Sequence, residues 1–407
     1  MKCRHCAQEL TRPLVDLGSA PPSNAYLSAA DLSRPERWYP LRVLVCDRCH
    51  LVQTEDFADA AELFSAEYAY FSSFSSTWVA HAERYVDTLI QRLSLDASST
   101  VAEIAANDGY LLQFVKARGI PCYGVEPTAS TAAAAREKGI EIIERFFGVS
   151  LADELAQAGR QVDLVAANNV LAHVPDINDF VQGFARLLKP QGVATFEFPH
   201  LLRLIAETQF DTIYHEHFSY LSLGAVVRIF AANGLVVFDV EELPTHGGSL
   251  RVFAQRSDGV RPASAAVEAL IARERAAGLE GPEGYAGFQA RTDRIKNDLL
   301  AFLIAERRAG RTVGAYGAAA KGNTLLNYAG VRPDLLPFVV DRNPAKQGKY
   351  LPGSRIPIVA ESALRQHRPA SILILPWNLR DEVTAQLAYA REWGARFVTA
   401  VPELSFL

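Results

Sequence analysis

Two pairs of cysteines constrain this chain more than any other feature. Cys3 and Cys6 form one Cys-x-x-Cys, and Cys46 and Cys49, in Val45-Cys46-Asp47-Arg48-Cys49, form a second. Each knuckle turns two sulfurs to the same side. Two knuckles brought together make a tetrahedral thiolate cage for zinc. A redox role would need one pair only, and two disulfides fit poorly with a reducing compartment. Four thiolates close the coordination shell, so the expected zinc is structural and does no chemistry. The long loop between the knuckles is tolerable, because loop-closure entropy grows slowly with length. Cys122, alone in Pro121-Cys122-Tyr123-Gly124, reads as a small core hydrophobe in a strand.

The start of the chain, Met1-Lys2-Cys3-Arg4-His5-Cys6, lacks the apolar segment of a secretory signal. No long apolar run is present to span a membrane. A cytoplasmic location is expected. The formal net charge of -5 argues against nucleic acid or an anionic membrane as the main partner. At 407 residues, the chain exceeds the size at which single cores tend to split, so two or three domains are expected.

The pattern along the chain divides it. Residues 1–70 are turn-rich and are expected to form the zinc-binding module. Residues 71–255 alternate strand-like runs with Ala-rich amphipathic stretches. The runs are Thr100–Ile104, Cys122–Glu126, Val162–Ala166 and Gly192–Glu197. Such alternation implies a parallel sheet with helices on both faces. Pro262 to Ala309 reads as helix, broken by the connector Gly278–Gly284. A second βα series starts at Arg311–Tyr316 and runs through Phe338–Asp341, Ile372–Leu375 and Arg396–Ala400. The predicted fold is α/β: an N-terminal zinc-binding module followed by two tandem Rossmann-like doubly wound α/β domains, the last over residues 256–407.

The first α/β unit carries a cofactor signature. Glu103-Ile104-Ala105-Ala106-Asn107-Asp108-Gly109-Tyr110 follows a strand and opens a helix. A turn of small residues there lets the backbone approach a ligand at the sheet's carboxyl edge. The spacing is not Gly-x-Gly-x-x-Gly, which disfavours a nicotinamide cofactor. The next strand ends in Glu126-Pro127, where a carboxylate can accept both hydroxyls of a ribose. Asn168 and Asn169 close the third strand. In order and spacing these pieces resemble the class I S-adenosylmethionine-dependent methyltransferases. Those enzymes usually place glycine where this chain has Ala105; a positive φ there would cost on the order of 1 kcal/mol.

Asp211 to Tyr220 packs titratable groups into an apolar region, and His173, His200, His215, His217 and His246 lie in the same unit. Methylating carbon needs a carbanion equivalent, which a neighbouring ketone supplies as an enolate. A base must take the α-proton and a donor must steady the oxygen. A histidine paired with glutamate makes an oriented base. His215-Glu216-His217 is open to three readings: a metal pair, a surface turn, or a pocket lining favoured by the flanking Tyr214, Phe218 and Tyr220. Thr245 to Arg251 is equally a hairpin turn or a substrate contact. Gly314 to Gly322 lies between a strand and a helix, where backbone N–H groups can face a diphosphate and Lys321 adds charge. Asp341 and Asn343 can bind hydroxyls or cap a helix, and Asn378 is open in the same way.

The double Cys-x-x-Cys, Glu103 to Leu112, Tyr214 to His217, Thr245 to Arg251 and Gly314 to Thr324 together resemble the nucleotide-sugar C-methyltransferases, in order and over nearly the whole chain. These include thymidine-diphosphate-sugar C-3' methyltransferases of antibiotic deoxysugar pathways. The resemblance implies a zinc module, a cofactor domain, and a C-terminal domain that helps hold the sugar nucleotide. It implies His217 as the base taking the α-proton, with Glu216 and Tyr214 beside it. Tyr68 and His173 match further active-site positions. The expected cofactor contacts are Glu103, Ala105, Asn107, Asp108, Gly109, Glu126, Pro127, Asn168 and Asn169. The expected substrate contacts are His246, Arg251, Tyr316, Lys321, Asn323, Asp341 and Asn378. Methylation at C-5', another keto acceptor, and a non-catalytic sugar-nucleotide-binding protein are the alternatives.

Overall fold

A computed structural model describes residues 1–57 and 71–407. Tyr68, expected near the reacting centre, lies outside the described residues. The N-terminal strands β1 (Arg12–Ala20), β2 (Tyr39–Val45) and β3 (Val52–Thr54) form an antiparallel sheet. The central unit contributes β4 (Val101–Ile104), β5 (Cys122–Val125), β6 (Glu141–Ile143), β7 (Val162–Asn168), β8 (Leu188–Pro199), β9 (Ser219–Tyr220), β10 (Leu235–Leu243) and β11 (Ser249–Arg256). The last unit adds β12 (Val313–Tyr316), β13 (Val339–Val340), β14 (Ile358–Val359), β15 (Ser371–Ile374), β16 (Arg396–Thr399) and β17 (Ser405–Phe406).

The central sheet runs β10-β11-β8-β7-β4-β5-β6, with β4 to β8 parallel. The hairpin β10–β11 closes one edge antiparallel to β8, an addition to the wholly parallel sheet that the sequence pattern implies. Continuous apolar strands such as Val162–Asn168 suit a sheet covered on both faces. The covering helices have local reasons to start where they do. Ser75 caps helix Ser76–Leu93 by accepting from Trp78 N at 3.2 Å. Asp176 caps helix Ile177–Leu187 by accepting from Asp179 N at 3.0 Å. Ser76–Leu93 buries Trp78, Ala82, Tyr85, Val86 and Leu89, one face at helical spacing.

The C-terminal sheet runs β14-β13-β12-β15-β16-β17, parallel except for β17. Helices Ala265–Ala276 and Phe288–Arg308 flank the glycine-rich connector, as the sequence pattern anticipates. Both sheets therefore reverse strand order beside their first strand, between β4 and β7 and between β12 and β15. Ligands of open α/β sheets bind at such switch points.

One pairing crosses from unit to unit. β9, just after the Tyr214–His217 string, joins the N-terminal sheet by pairing Val52 with Tyr220 and Gln53 with Ser219. Among the described residues, no helix is long and apolar enough to cross a membrane.

Candidate active site

The turn after β4 sits at the first switch point. Ala105 (φ +59°), Asn107 (φ +48°) and Gly109 (φ +73°) all take left-handed backbone. A Cβ on Gly109 would lie 2.4 Å from Ile140 Cδ1 and 3.2 Å from Ala135 Cβ, so only glycine fits. Glu126, at the end of β5, ties the turn down: Oε2 accepts from Asn107 N and Oε1 from Thr128 N, both at 2.9 Å. Each of its oxygens keeps a further lone pair for a ligand donor. Ser72 N donates to Asn107 Oδ1 at 2.9 Å, and Ser73 N donates to Asp108 Oδ2 at 3.2 Å.

This crevice collects buried acceptors without hydrogen-bond partners among the described residues: both carboxylate oxygens of Glu103, Asp108 Oδ1, Asn168 Oδ1 and Asn169 Oδ1. Burial pushes the Glu103 carboxyl well above the usual carboxylate range, with Tyr110 close by acting the other way. Buried polar groups are normally satisfied, so such a concentration marks a place for ligand donors. Ribose hydroxyls at Glu126 and an ammonium near Glu103 are the donors S-adenosylmethionine offers. The residues present fit that cofactor.

The Tyr214–His217 string is loop, with a turn at His215 and Glu216. His217 Nδ1 donates to Thr212 O at 2.8 Å, which leaves Nε2 as the basic nitrogen. His173 Nδ1 donates to Glu216 O at 2.7 Å. The His173 and His217 rings lie 4.6 Å apart edge to face, and Tyr214 lies 3.9 Å from His217 between ring centroids. Burial holds His217 well below the ordinary histidine range, and neighbouring His173 lowers it further. Burial also lowers His173 to about 4. Both rings are therefore neutral at neutral pH.

Glu216 does not pair with the His217 ring, contrary to the expected oriented His–Glu pair. Its Oε1 accepts from Asn24 N at 3.3 Å and Asn24 Nδ2 at 3.1 Å. Adjacent side chains point apart along the chain, and residues 214–217 form no strand that would set side chains two apart on one face. His215 and His217 therefore make no metal pair: His215 Nε2 faces the Tyr39 and Pro40 carbonyls at 3.3 and 3.2 Å.

The second switch point faces the first. His246 lies at φ +56° in the turn of the β10–β11 hairpin, and Asn169 Nδ2 donates to its Nε2 at 3.2 Å. Lys321, in the first turn of helix Ala320–Tyr328, donates to His246 O at 3.4 Å and Asn378 Oδ1 at 3.0 Å, and lies 4.8 Å from the Trp377 ring centre. Trp377 Nε1 donates to Asp211 Oδ2 at 2.7 Å. Burial raises the Asp211 carboxyl to about 6, against the pull of Lys321. Asn169, His246, Lys321 and Asn378 thus bridge the two crevices. Asn323 is fully buried, with both side-chain polar atoms unsatisfied among the described residues.

Three of the expected substrate contacts also make hydrogen bonds within the protein. Arg251 is buried in β11 opposite Glu197 of β8, donating to Glu197 Oε2 at 3.0 Å. The Tyr316 hydroxyl bonds to Gln386. Asp341 Oδ2 accepts from Ala318 N and its Oδ1 from Asn343 N, both at 2.8 Å, so it braces the turn after β12. The sequence reading missed His81, Trp78 and Glu197. Trp78 stacks on His81 and Tyr110 and leans on His246. His81 Nε2 lies 2.9 Å from Glu197 Oε2. Trp78 and His81 share a helix face by their spacing of three, a signal visible in the sequence. Glu197 carries none, because it reads as one polar residue in an apolar strand.

The four cysteine sulfurs lie within 4.8 Å of one another. Zn–S bonds of about 2.3 Å place the sulfurs of a tetrahedral site about 3.8 Å apart. The donor set fits zinc, and it is the one such cluster found among the described residues.

Comparison with known proteins gives matching results along the chain. Residues 3–64 match the family model "Putative zinc binding domain", 78–240 "Methyltransferase domain" and 244–402 "C-methyltransferase C-terminal domain". The chain is 34% identical to the C-methyltransferase NovU of Streptomyces niveus, over 99% of this chain and 96% of that protein. Among solved structures it is similar to the magnesium protoporphyrin IX methyltransferase of Synechocystis PCC 6803 with bound SAH. That match has 17% identity and a TM-score of 0.35, over 44% of this chain and 83% of that one. It is also similar to the PH0226 protein of Pyrococcus horikoshii OT3, with 16% identity and a TM-score of 0.39, over 50% and 100% of the two chains. With the cofactor crevice, a neutral histidine pair and a cysteine cage on one chain, and a relative matched from end to end, the protein belongs to the C-methyltransferases and is an S-adenosylmethionine-dependent enzyme.

Proposed function

We propose that the enzyme methylates a ring carbon, C-3', of a 4-keto-deoxysugar carried on a nucleotide diphosphate such as thymidine diphosphate. The observation that carries this reading is His217: buried, held neutral, oriented through Nδ1, and set beside neutral His173 in a crevice facing a second α/β unit. A neutral imidazole with Nε2 unprotonated can accept an α-proton made acidic by a neighbouring ketone. Nε2 of His217 takes the α-proton, and the electron pair moves onto the ketone oxygen as an enolate. The Tyr214 hydroxyl steadies that oxygen. Bound S-adenosylmethionine supplies the electrophilic methyl group. Glu126 and Glu103 would hold its ribose and amino ends. The turn Gly317–Ala320 with Lys321 receives the diphosphate. Zinc in the Cys3–Cys6–Cys46–Cys49 cage stabilises the N-terminal unit.

His217→Asn tests this. A thymidine-diphosphate 4-keto-deoxysugar in deuterated water is expected to lose solvent exchange of its α-proton, while calorimetric binding of S-adenosylmethionine persists. Exchange at the wild-type rate would remove His217 as the base.

A further inference from the structure

The cysteine cage and the loop that carries His217 are joined by consecutive hydrogen bonds. Gln53 is fully buried; its Nε2 donates to Cys3 Sγ at 3.2 Å, and its Oε1 accepts from Arg4 N at 2.9 Å. Gln53 also pairs with Ser219 across β3 and β9. Next in sequence, Thr54 N donates to Phe218 O at 3.2 Å, and Thr54 Oγ1 donates to His217 O at 3.0 Å. Arg4, inside the first knuckle, donates from Nε to Phe218 O at 3.3 Å and from a terminal nitrogen to Thr54 O at 2.8 Å. Its guanidinium lies over the Phe218 ring at 4.9 Å. The rest of the string is anchored the same way: His215 on the Tyr39 and Pro40 carbonyls, Glu216 on Asn24.

We propose that Gln53 and Thr54 are positioning residues that hold His217 in place from the cysteine cage, so that metal in the cage sets the geometry of the proton-abstracting loop. This rests on the reading of His217 as the base. The physical case is leverage over a short path. The Thr212 carbonyl orients the ring from one side, and Thr54 fixes the His217 carbonyl from the other. Thr54 follows, within one three-residue strand, the residue bonded to a cage sulfur. A metal-held thiolate keeps its position and charge as an acceptor for Gln53, whereas a cage without metal has nothing to hold its sulfurs together.

Thr54→Val tests the link, because it removes the hydroxyl and keeps the branched shape; Thr54→Ser restores the hydroxyl. Three measurements are compared: calorimetric binding of S-adenosylmethionine, the NMR signal of the His217 Nδ1 proton, and α-proton exchange on a thymidine-diphosphate 4-keto-deoxysugar. Thr54→Val is expected to leave cofactor affinity and KM unchanged, to shift or broaden the His217 signal, and to lower kcat by about ten- to a hundredfold, the cost of a misplaced reacting group. Thr54→Ser restores signal and rate. Stripping zinc from the wild-type protein with a chelator reproduces the change in the signal, with the cofactor still bound. A His217 signal that survives either Thr54→Val or chelation overturns the proposal. So does a loss of cofactor binding along with the signal, because the effect is then general unfolding. Undiminished exchange in His217→Asn would instead sink the base assignment, while a His217 signal moved by Thr54→Val and by chelation would still support the coupling.

Discussion

Ala105 holds a left-handed backbone at φ +59° in the turn against which the cofactor is expected to lie. For a residue with a Cβ this conformation costs about 1–2 kcal/mol, and glycine recovers most of it while losing some through the freedom of its unfolded chain. Ala105→Gly is therefore expected to raise stability by about 0.5–1 kcal/mol. Denaturant unfolding checks this; an unchanged or lower midpoint would mean that the Cβ makes a compensating contact. The possible cost of alanine is visible in the sequence, but the sign of φ is not. Gly109, four residues further on, differs, because both its φ and the nearness of Ile140 demand glycine.

At the scale of elements, the register of β8 against β11 sets Glu197 opposite Arg251, and helix Ser76–Leu93 brings His81 onto the same carboxylate. Thr245 Oγ1 donates to the other oxygen at 3.0 Å, so this cluster also seats the hairpin turn that carries His246. Burial alone would raise the Glu197 carboxyl; His81 and Arg251 more than offset that and hold it below the usual carboxylate range. Glu197→Ala strands the buried Arg251 and is expected to cost on the order of 3 kcal/mol of stability. Arg251 also donates to Glu241 Oε2 at 3.3 Å, and a loss under about 1 kcal/mol in thermal or chemical unfolding, the range of an exposed pair, would show that Glu241 suffices for it. The strands β4, β5, β7 and β8 were readable from their apolar runs. The network joining β8, β11 and the helix was not, because it depends on cross-strand register, which no single run encodes.

Across the whole molecule, the two α/β units meet where their switch points face, and a buried polar contact sits in a junction that is otherwise apolar, with Phe210 and Ile213 of the first unit in one core with Leu325 and Leu326 of the second. Trp377 from the second unit donates to Asp211 of the first, and the other Asp211 oxygen has no partner among the described residues. Trp377→Phe removes the one side-chain donor recorded on that buried carboxyl. It is expected to cost about 1–3 kcal/mol, read as a lower unfolding midpoint. An unchanged midpoint would mean that Asp211 is protonated or finds another donor. A stable, well-closed junction matters because Lys321 crosses it to reach the His246 carbonyl.

The sequence by itself determined the kinds of parts. Paired cysteine spacing encodes a cage, alternating apolar runs encode wound α/β sheets, and the small-residue turn before Glu126 encodes a cofactor crevice. These are local patterns, and local geometry is enough to read them. Tertiary structure alone decided how the parts meet. It turned Glu216 toward Asn24 instead of the His217 ring, gave Arg251, Tyr316 and Asp341 partners within the protein, and enlisted His81 and Glu197. It also carried β9 into the N-terminal sheet, so that the cysteine cage and the His217 loop share a strand pairing. The reason is physical: hydrogen-bond partners far apart in the chain are chosen by burial and register, because a buried polar group must be satisfied by whatever the fold brings to it.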